Sequence, residues 1–166
     1  TFTLTVMPVN DAPSLDDLSD ASIAEDETYT LELSASDIDG DDLTFEASVD
    51  GNGSANVDGS TLTVIPNTDF DEAIIVSVVA SDGEASGSGT FTLTVTPVND
   101  APTISDIDAQ TINEDDSLTI PIFAKDVDED ELILSANGDN ATVSFSESTL
   151  TVSPDQDYNG DIIVTV

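Results

Sequence analysis

The sequence repeats itself. Residues 1–13, TFTLTVMPVNDAP, recur as residues 90–102 with one change, Met7 against Thr96, so the two copies lie 89 positions apart. Glu25-Asp26 returns as Glu114-Asp115, and Asp37-Ile38-Asp39 as Asp126-Val127-Asp128, at the same offset. Beyond a one-residue deletion the offset is 88: Thr61-Leu62-Thr63-Val64 returns as Thr149-Leu150-Thr151-Val152, and Asp69-Phe70 as Asp157-Tyr158. Such a period confines the chain to a row of similar small units. The joints are the hexapeptide Pro-Val-Asn-Asp-Ala-Pro at 8–13 and 97–102. The expected division is the last strand of a preceding repeat (1–9), a complete repeat (10–97) and a second repeat lacking its last strand (98–166). A segment cut from a longer array is the simpler reading. The alternative is that strand 1–9 of one molecule completes the second repeat of another by strand addition.

Within a repeat the apolar residues keep a period of two. Phe91, Leu93 and Val95 alternate with Thr92, Thr94 and Thr96; Tyr29, Leu31, Leu33 and Ala35 alternate with Thr30, Glu32 and Ser34; Ile74, Val76, Val78 and Ala80 follow the same rule. This is the pattern of half-buried strands, and Asp-Gly and Asn-Gly pairs at 39–40, 50–51, 52–53, 58–59 and 82–83 mark the turns between them. No stretch has a helical period. The spacing predicts strands over 20–24, 28–36, 43–49, 54–58, 61–65, 73–81 and 88–97. Seven short strands in so few residues imply an all-β fold of tandem immunoglobulin-like sandwiches. The chain has no Cys and no Trp, so this is not the disulfide-and-tryptophan core of antibody domains.

Charge narrows the possible partners. The chain carries 36 Asp and Glu against one basic residue, Lys125, for a formal net charge of −35. Nucleic acid is excluded as a partner, because its binding needs Lys and Arg to neutralise phosphates. An anionic membrane surface would repel the chain, and no apolar run approaches the length of a membrane span. At 38% hydrophobic residues in regular alternation, the chain reads as folded, with cations expected to offset its self-repulsion. Without His or Cys, catalysis has little to work with, and no enzymatic activity is expected. A paired-carboxylate glycosidase is the one chemistry the acids would formally permit, but units this small offer it no cleft.

The acids gather at strand ends beside the joints. A hard cation such as calcium takes about six to eight oxygens from carboxylates, Asn side chains and carbonyls. Without it, crowded carboxylates repel one another. Neither local loop is an EF-hand. That loop needs Gly at its sixth position and Glu at its twelfth. From Asp37 the Gly comes fourth and the twelfth residue is Ser48; from Asp126 the twelfth is Asn137. The Gly-rich nonapeptide of calcium-binding β-helices is also missing. On their own terms these Asp pairs fit a solvated turn as well as a ligand set, and Asn99-Asp100 fits an Asx turn beside proline.

The joint Val-Asn-Asp-Ala-Pro resembles the Asp-x-Asn-Asp-Asn-Ala-Pro linker of cadherin repeats, in the form found in the bacterial cadherin-like tandem repeats of large surface adhesins. The resemblance spans the chain. Glu25 stands where cadherins carry an acidic residue near the first strand. Asp37-x-Asp39 and Asp126-x-Asp128 match the Asp-x-Asp motif, Ala80-Ser81-Asp82 is similar to Ala-x-Asp, and Asp69-Phe70-Asp71 falls where cadherins have Asp-Arg-Glu. The resemblance implies Greek-key sandwiches with calcium as cofactor. It implies a central site drawing on Glu25, Asp69 and Asp71, on Asn99 and Asp100, and on Asp126 and Asp128. It implies a half-site from Asn10, Asp11, Asp37, Asp39 and Asp82 at the first joint. The linker lacks the leading Asp and final Asn of the animal version, which implies one or two ions per joint rather than three.

The function expected from this resemblance is a calcium-rigidified extender in a bacterial surface or secreted adhesin. Its partners would be the neighbouring repeats, with homophilic or glycan contacts in adhesion. The alternative is a carbohydrate- or partner-binding sandwich module.

Overall fold

The computed structural model describes all residues, 1–166. The chain divides into two compact units, Thr1–Val98 and Asn99–Val166. The first contains β1 (Ser14–Leu15), β2 (Ala21–Ala24), β3 (Tyr29–Glu32), β4 (Ala35–Ser36), β5 (Thr44–Val49), β6 (Gly53–Asp58), β7 (Thr61–Pro66), β8 (Ala73–Ser81) and β9 (Ser86–Thr96). The second contains β10 (Thr103–Ile104), β11 (Leu118–Pro121), β12 (Ala124–Lys125), β13 (Asn137–Gly138), β14 (Ala141–Ser146), β15 (Thr149–Pro154) and β16 (Val164–Thr165). There is no helix, and the fold is all-β.

In the first unit β2-β9-β8-β5 form one sheet and β3-β7-β6 another. Their inward faces meet in a single core of Leu62 and Val64 from β7, Ile74, Val76 and Val78 from β8, Phe91, Leu93 and Val95 from β9, and Leu33. These are the residues that the period of two places on one face, and in each strand the alternate threonines and serines turn outward. β9 is the spine. It runs antiparallel to β8, with Ile74 opposite Leu93 and Val76 opposite Phe91, and parallel to β2, with Ala21 opposite Leu93 and Ile23 opposite Val95.

Two details depart from the expected strands. The run 28–36 is not one strand. It breaks at Leu33 and Ser34 into β3, which pairs with β7, and β4, which pairs with β1. Leu33 still donates its N–H to the Ser60 carbonyl at 2.7 Å, whereas the Ser34 carbonyl accepts from Asp16 N–H at 2.9 Å. The chain thus changes ladders without changing which side chains face inward, so the alternation is blind to the switch. β9 also begins two residues before its expected start. The glycines there look like strand-weakening positions, but they admit a neighbour. A Cβ on Gly87 would collide with the Pro13 carbonyl, and one on Gly89 would come within 3.2 Å of Leu15. Glycine inside a strand often marks such a close approach.

The second unit repeats the first strand for strand where it forms strands. β11, β14 and β15 make a three-stranded sheet like β3, β6 and β7. Asn137 and Gly138 pair with Thr165 and Val164, as Ser48 and Val49 pair with Ser77 and Val76. Its core is smaller: Ile122, Leu150 and Val152 are the buried members. Residues 1–9, expected as the last strand of a preceding repeat, pair with no strand, and Phe2, Leu4 and Val6 are 91%, 77% and 82% exposed.

Candidate metal centre

The acids assemble within each unit. In the first, Asp37 follows β4 and caps its own loop. One of its oxygens, Oδ1, accepts N–H bonds from Asp39 at 2.8 Å, Gly40 at 3.1 Å and Asp41 at 3.5 Å. The loop closes tightly because Gly40 takes φ +80°, a left-handed conformation that costs glycine little. Asp39 Oδ2 accepts the Asp11 N–H at 2.9 Å, which ties the linker to this loop. Asn10 donates its amide to Asp82 Oδ2 at 3.0 Å and to the Asp11 carbonyl at 3.2 Å. All five residues expected at the first joint, Asn10, Asp11, Asp37, Asp39 and Asp82, therefore meet at one end of the unit.

The other Asp37 oxygen is different. Oδ2 is buried and has no hydrogen-bond partner. Carboxylate oxygens of Asp37, Asp39 and Asp41 all lie within 4.8 Å of one another. A buried carboxylate oxygen with no donor is costly, and two further carboxylates beside it add repulsion. A hard cation removes both costs, so the donor set fits calcium. Sequence reading missed Asp41 as a member. The signal was present, since Asp37, Asp39 and Asp41 stand at alternate positions, but the Asp-x-Asp motif ends at Asp39 and the EF-hand spacing fails.

The second unit repeats the bond between linker and Asp loop and part of the loop itself. Asp100 donates its N–H to Asp128 Oδ2 at 2.7 Å, and Asn99 donates its amide to the Asp100 carbonyl at 2.8 Å. Asp126 Oδ1 accepts N–H bonds from Asp128 at 3.0 Å and Asp130 at 3.4 Å. Asp126 is 7% exposed. Glu129 takes the place of Gly40 and adopts the same left-handed backbone at φ +62°. Asp130 is the counterpart of Asp41.

At the far end of β9 stands a second group. Glu25 is 6% exposed. Its Oε1 accepts the Val98 N–H at 2.6 Å, and its own N–H bonds to the Thr96 carbonyl at 2.9 Å. Oxygens of Glu25 and Asp69 lie within 4.8 Å. Asp71 is exposed and is not brought into that pair. Eleven residues of β9 at about 3.3 Å each separate this end of the unit from the Asp82 turn.

The Asp82 carboxyl is held below its ordinary value of 3.8. The Ala85 N–H is the largest cause, followed by the Asn10 amide and the Glu84 N–H. The backbone bonds are 2.6 Å and 2.7 Å long. A depressed folded-state value means that these bonds stabilise the fold above pH 3.8 and that the contribution is lost as pH falls through the lowered midpoint. A carboxyl-detected NMR titration is expected to place the Asp82 midpoint below 3.8, and Asn10→Ala is expected to move it up. A wild-type midpoint at or above 3.8 would contradict this geometry.

A sequence-family model described as "Bacterial Ig domain" matches residues 10–96 and again 99–166. The chain belongs to the bacterial Ig domain family. The two matches fall on the two successive repeats, so these bacterial Ig domains are arranged in tandem. No curated protein matches the sequence. Among solved structures the chain is similar to Drosophila N-cadherin EC1-3, with 16% identity, 54% of this chain and 35% of that one covered, and a TM-score of 0.44. Human protocadherin-24 EC1-2 matches at 14% identity over 89% of this chain and 79% of that one, with a TM-score of 0.45. An endo-fucoidan hydrolase of glycoside hydrolase family 107 matches at 18% identity over 92% of this chain, with a TM-score of 0.47. The chain spans 35% of the N-cadherin structure's length and 25% of the hydrolase's. No helix of this bacterial Ig domain pair is long and apolar enough to cross a membrane.

Proposed function

We propose that the chain is a calcium-rigidified, non-enzymatic segment of a bacterial surface or secreted adhesin, in which tandem Ig domains act as an extender. The observation that carries this reading is Asp37 Oδ2, buried and unpartnered beside the Asp39 and Asp41 carboxylates. Asp37, Asp39, Asp41, Asp82 and the linker residues Asn10 and Asp11 would hold one ion. Asp126, Asp128, Asp130, Asn99 and Asp100 would hold its counterpart, and Glu25 and Asp69 supply acids where the first unit ends. The ion would supply charge neutralisation. The protein's part is done by the linker, whose Asp11 and Asp100 N–H groups are already bonded to the Asp loop. Stiffening that loop stiffens the linker. A row of such joints holds a binding domain away from the cell surface, which supports a role in adhesion.

Calorimetric titration of the whole chain with calcium tests the reading. Binding is expected at roughly 10⁻⁴–10⁻³ M, together with a rise in melting temperature between chelator and millimolar calcium. Absence of both heat and shift would sink it.

A further inference from the structure

The two sheets of the first unit turn different faces to solvent. By the pairing registers, sixteen side chains of β2-β9-β8-β5 point away from the core. Eleven of these are Ser or Thr, four are Ala, Val or Ile, and Glu46 is the one acid. The smaller sheet, β3-β7-β6, has eight outward positions, and two of them, Glu32 and Asp58, are acidic. In a chain with 36 acids among 166 residues, the larger face is a nearly uncharged field. Two acids at its border are turned to its backbone. Asp20 Oδ1 accepts the Thr92 N–H at 2.7 Å, and Asp50 Oδ2 accepts the Ile75 N–H at 3.3 Å. Within the field Ile75 is 52% exposed and Val79 is half-buried.

Charge and hydrogen bonding select the partner. Two copies of a chain with a net charge of −35 repel wherever their acids meet. A two-fold interface brings the same patch of both copies together, so the patch must be complementary to itself. An acidic patch fails that condition. A field of hydroxyls meets it, because each hydroxyl both donates and accepts. The threonine methyls, Ile75 and Val79 add apolar area to the same face. Its side chains are mostly small, which lets two sheets approach to the usual packing distance of about 10 Å.

We propose that two copies of this chain associate face to face through the outer side of the β2-β9-β8-β5 sheet of the first unit, with Ile75 and Val79 among the threonines and serines of β9. Strands of four to eleven residues, at about 3.3 Å per residue and about 4.8 Å apart, make a face of roughly 500 Å² per copy. Two such faces bury about 1,000 Å², the lower limit of a specific interface. The association is therefore weak and reversible. Calcium has no part in it, so it stands apart from the metal reading.

Sedimentation velocity of the 166-residue chain over a concentration series, in chelator, tests the proposal. The weight-average mass is expected to rise with concentration. The rise should be steeper in about 0.15 M salt than in about 0.01 M, because the screening length falls from about 30 Å to about 8 Å and the acids around the face repel less. Ile75→Asp and Ser88→Asp, both at exposed positions, are each expected to weaken association at least tenfold, since a two-fold interface meets every substitution twice. Thr63→Asp, on the outer side of β7, is expected to leave it unchanged. NMR spectra of each variant check that the fold is kept. A chain that stays monomeric throughout overturns the proposal, and so does association that survives both β8 and β9 substitutions. A monomer whose Ile75 and Ser88 signals shift on adding a neutral glucan overturns it in favour of a glycan partner.

Discussion

Leu93→Ala is expected to lower the unfolding free energy of the first unit by about 2–5 kcal/mol, the usual range for a buried leucine cut to alanine. Leu93 is fully buried and sits in the middle of the spine strand, opposite Ile74 on one side and Ala21 on the other. A strand on each side and the facing sheet leave little freedom to collapse into the vacated volume, which favours the upper part of that range. Thr94, its exposed neighbour on the same strand, provides the contrast. Thr94→Ala is expected to stay within about 0.5 kcal/mol of wild type. Urea denaturation followed on NMR signals of the first unit reads both, because the two units carry separate cores and need not melt together. A Leu93→Ala loss no larger than that of Thr94→Ala would mean that β9 is not the centre of the sandwich.

Asp37→Asn is expected to act in opposite directions with and without calcium. Asparagine keeps an oxygen for the three loop N–H groups that Asp37 Oδ1 accepts, so the turn survives. It removes one negative charge from the trio of Asp37, Asp39 and Asp41. In chelator the melting temperature of the first unit is therefore expected to stay level or rise. In millimolar calcium the gain expected for wild type should vanish, with affinity at that site down at least tenfold, about 1.4 kcal/mol. Asp126→Asn should do the same in the second unit and leave the first alone. Asp106→Asn, at an exposed position, should change neither. A variant destabilised equally in chelator and in calcium would show that Asp37 only builds the turn.

Much of this was legible from residue order. The alternation of Phe91, Leu93 and Val95 with threonine named the buried face of β9, and the same rule named Ile74, Val76 and Val78 on β8. The repeat did the rest: two copies of Asn-Asp and Asp-x-Asp at one offset singled out Asn10, Asp11, Asp37 and Asp39, and likewise Asn99, Asp100, Asp126 and Asp128, from a chain full of acids. In both units the structure joins the linker Asp to the second Asp of the motif through one backbone N–H.

What stayed hidden has a common cause. A period of two says which way a side chain points but not which strand its backbone bonds to. The switch of ladders at Leu33 and Ser34 leaves the inward pattern intact, and β1 is too short to show a period. The parallel pairing of Ala21 with Leu93 joins residues 72 positions apart, a choice made by the packing of both sheets rather than by either strand. The same limit applied to the acids. The resemblance to cadherin repeats grouped Asp69 with Asp71 and passed over Asp41, because whether a carboxylate meets its neighbours depends on the loop's backbone path. The local chain determined that this protein is a row of acidic β-sandwiches with oxygens gathered at the joints. Only the folded backbone decided which of those oxygens is shut away from water without a donor, because burial is a property of everything packed around an atom and not of the residues beside it in sequence.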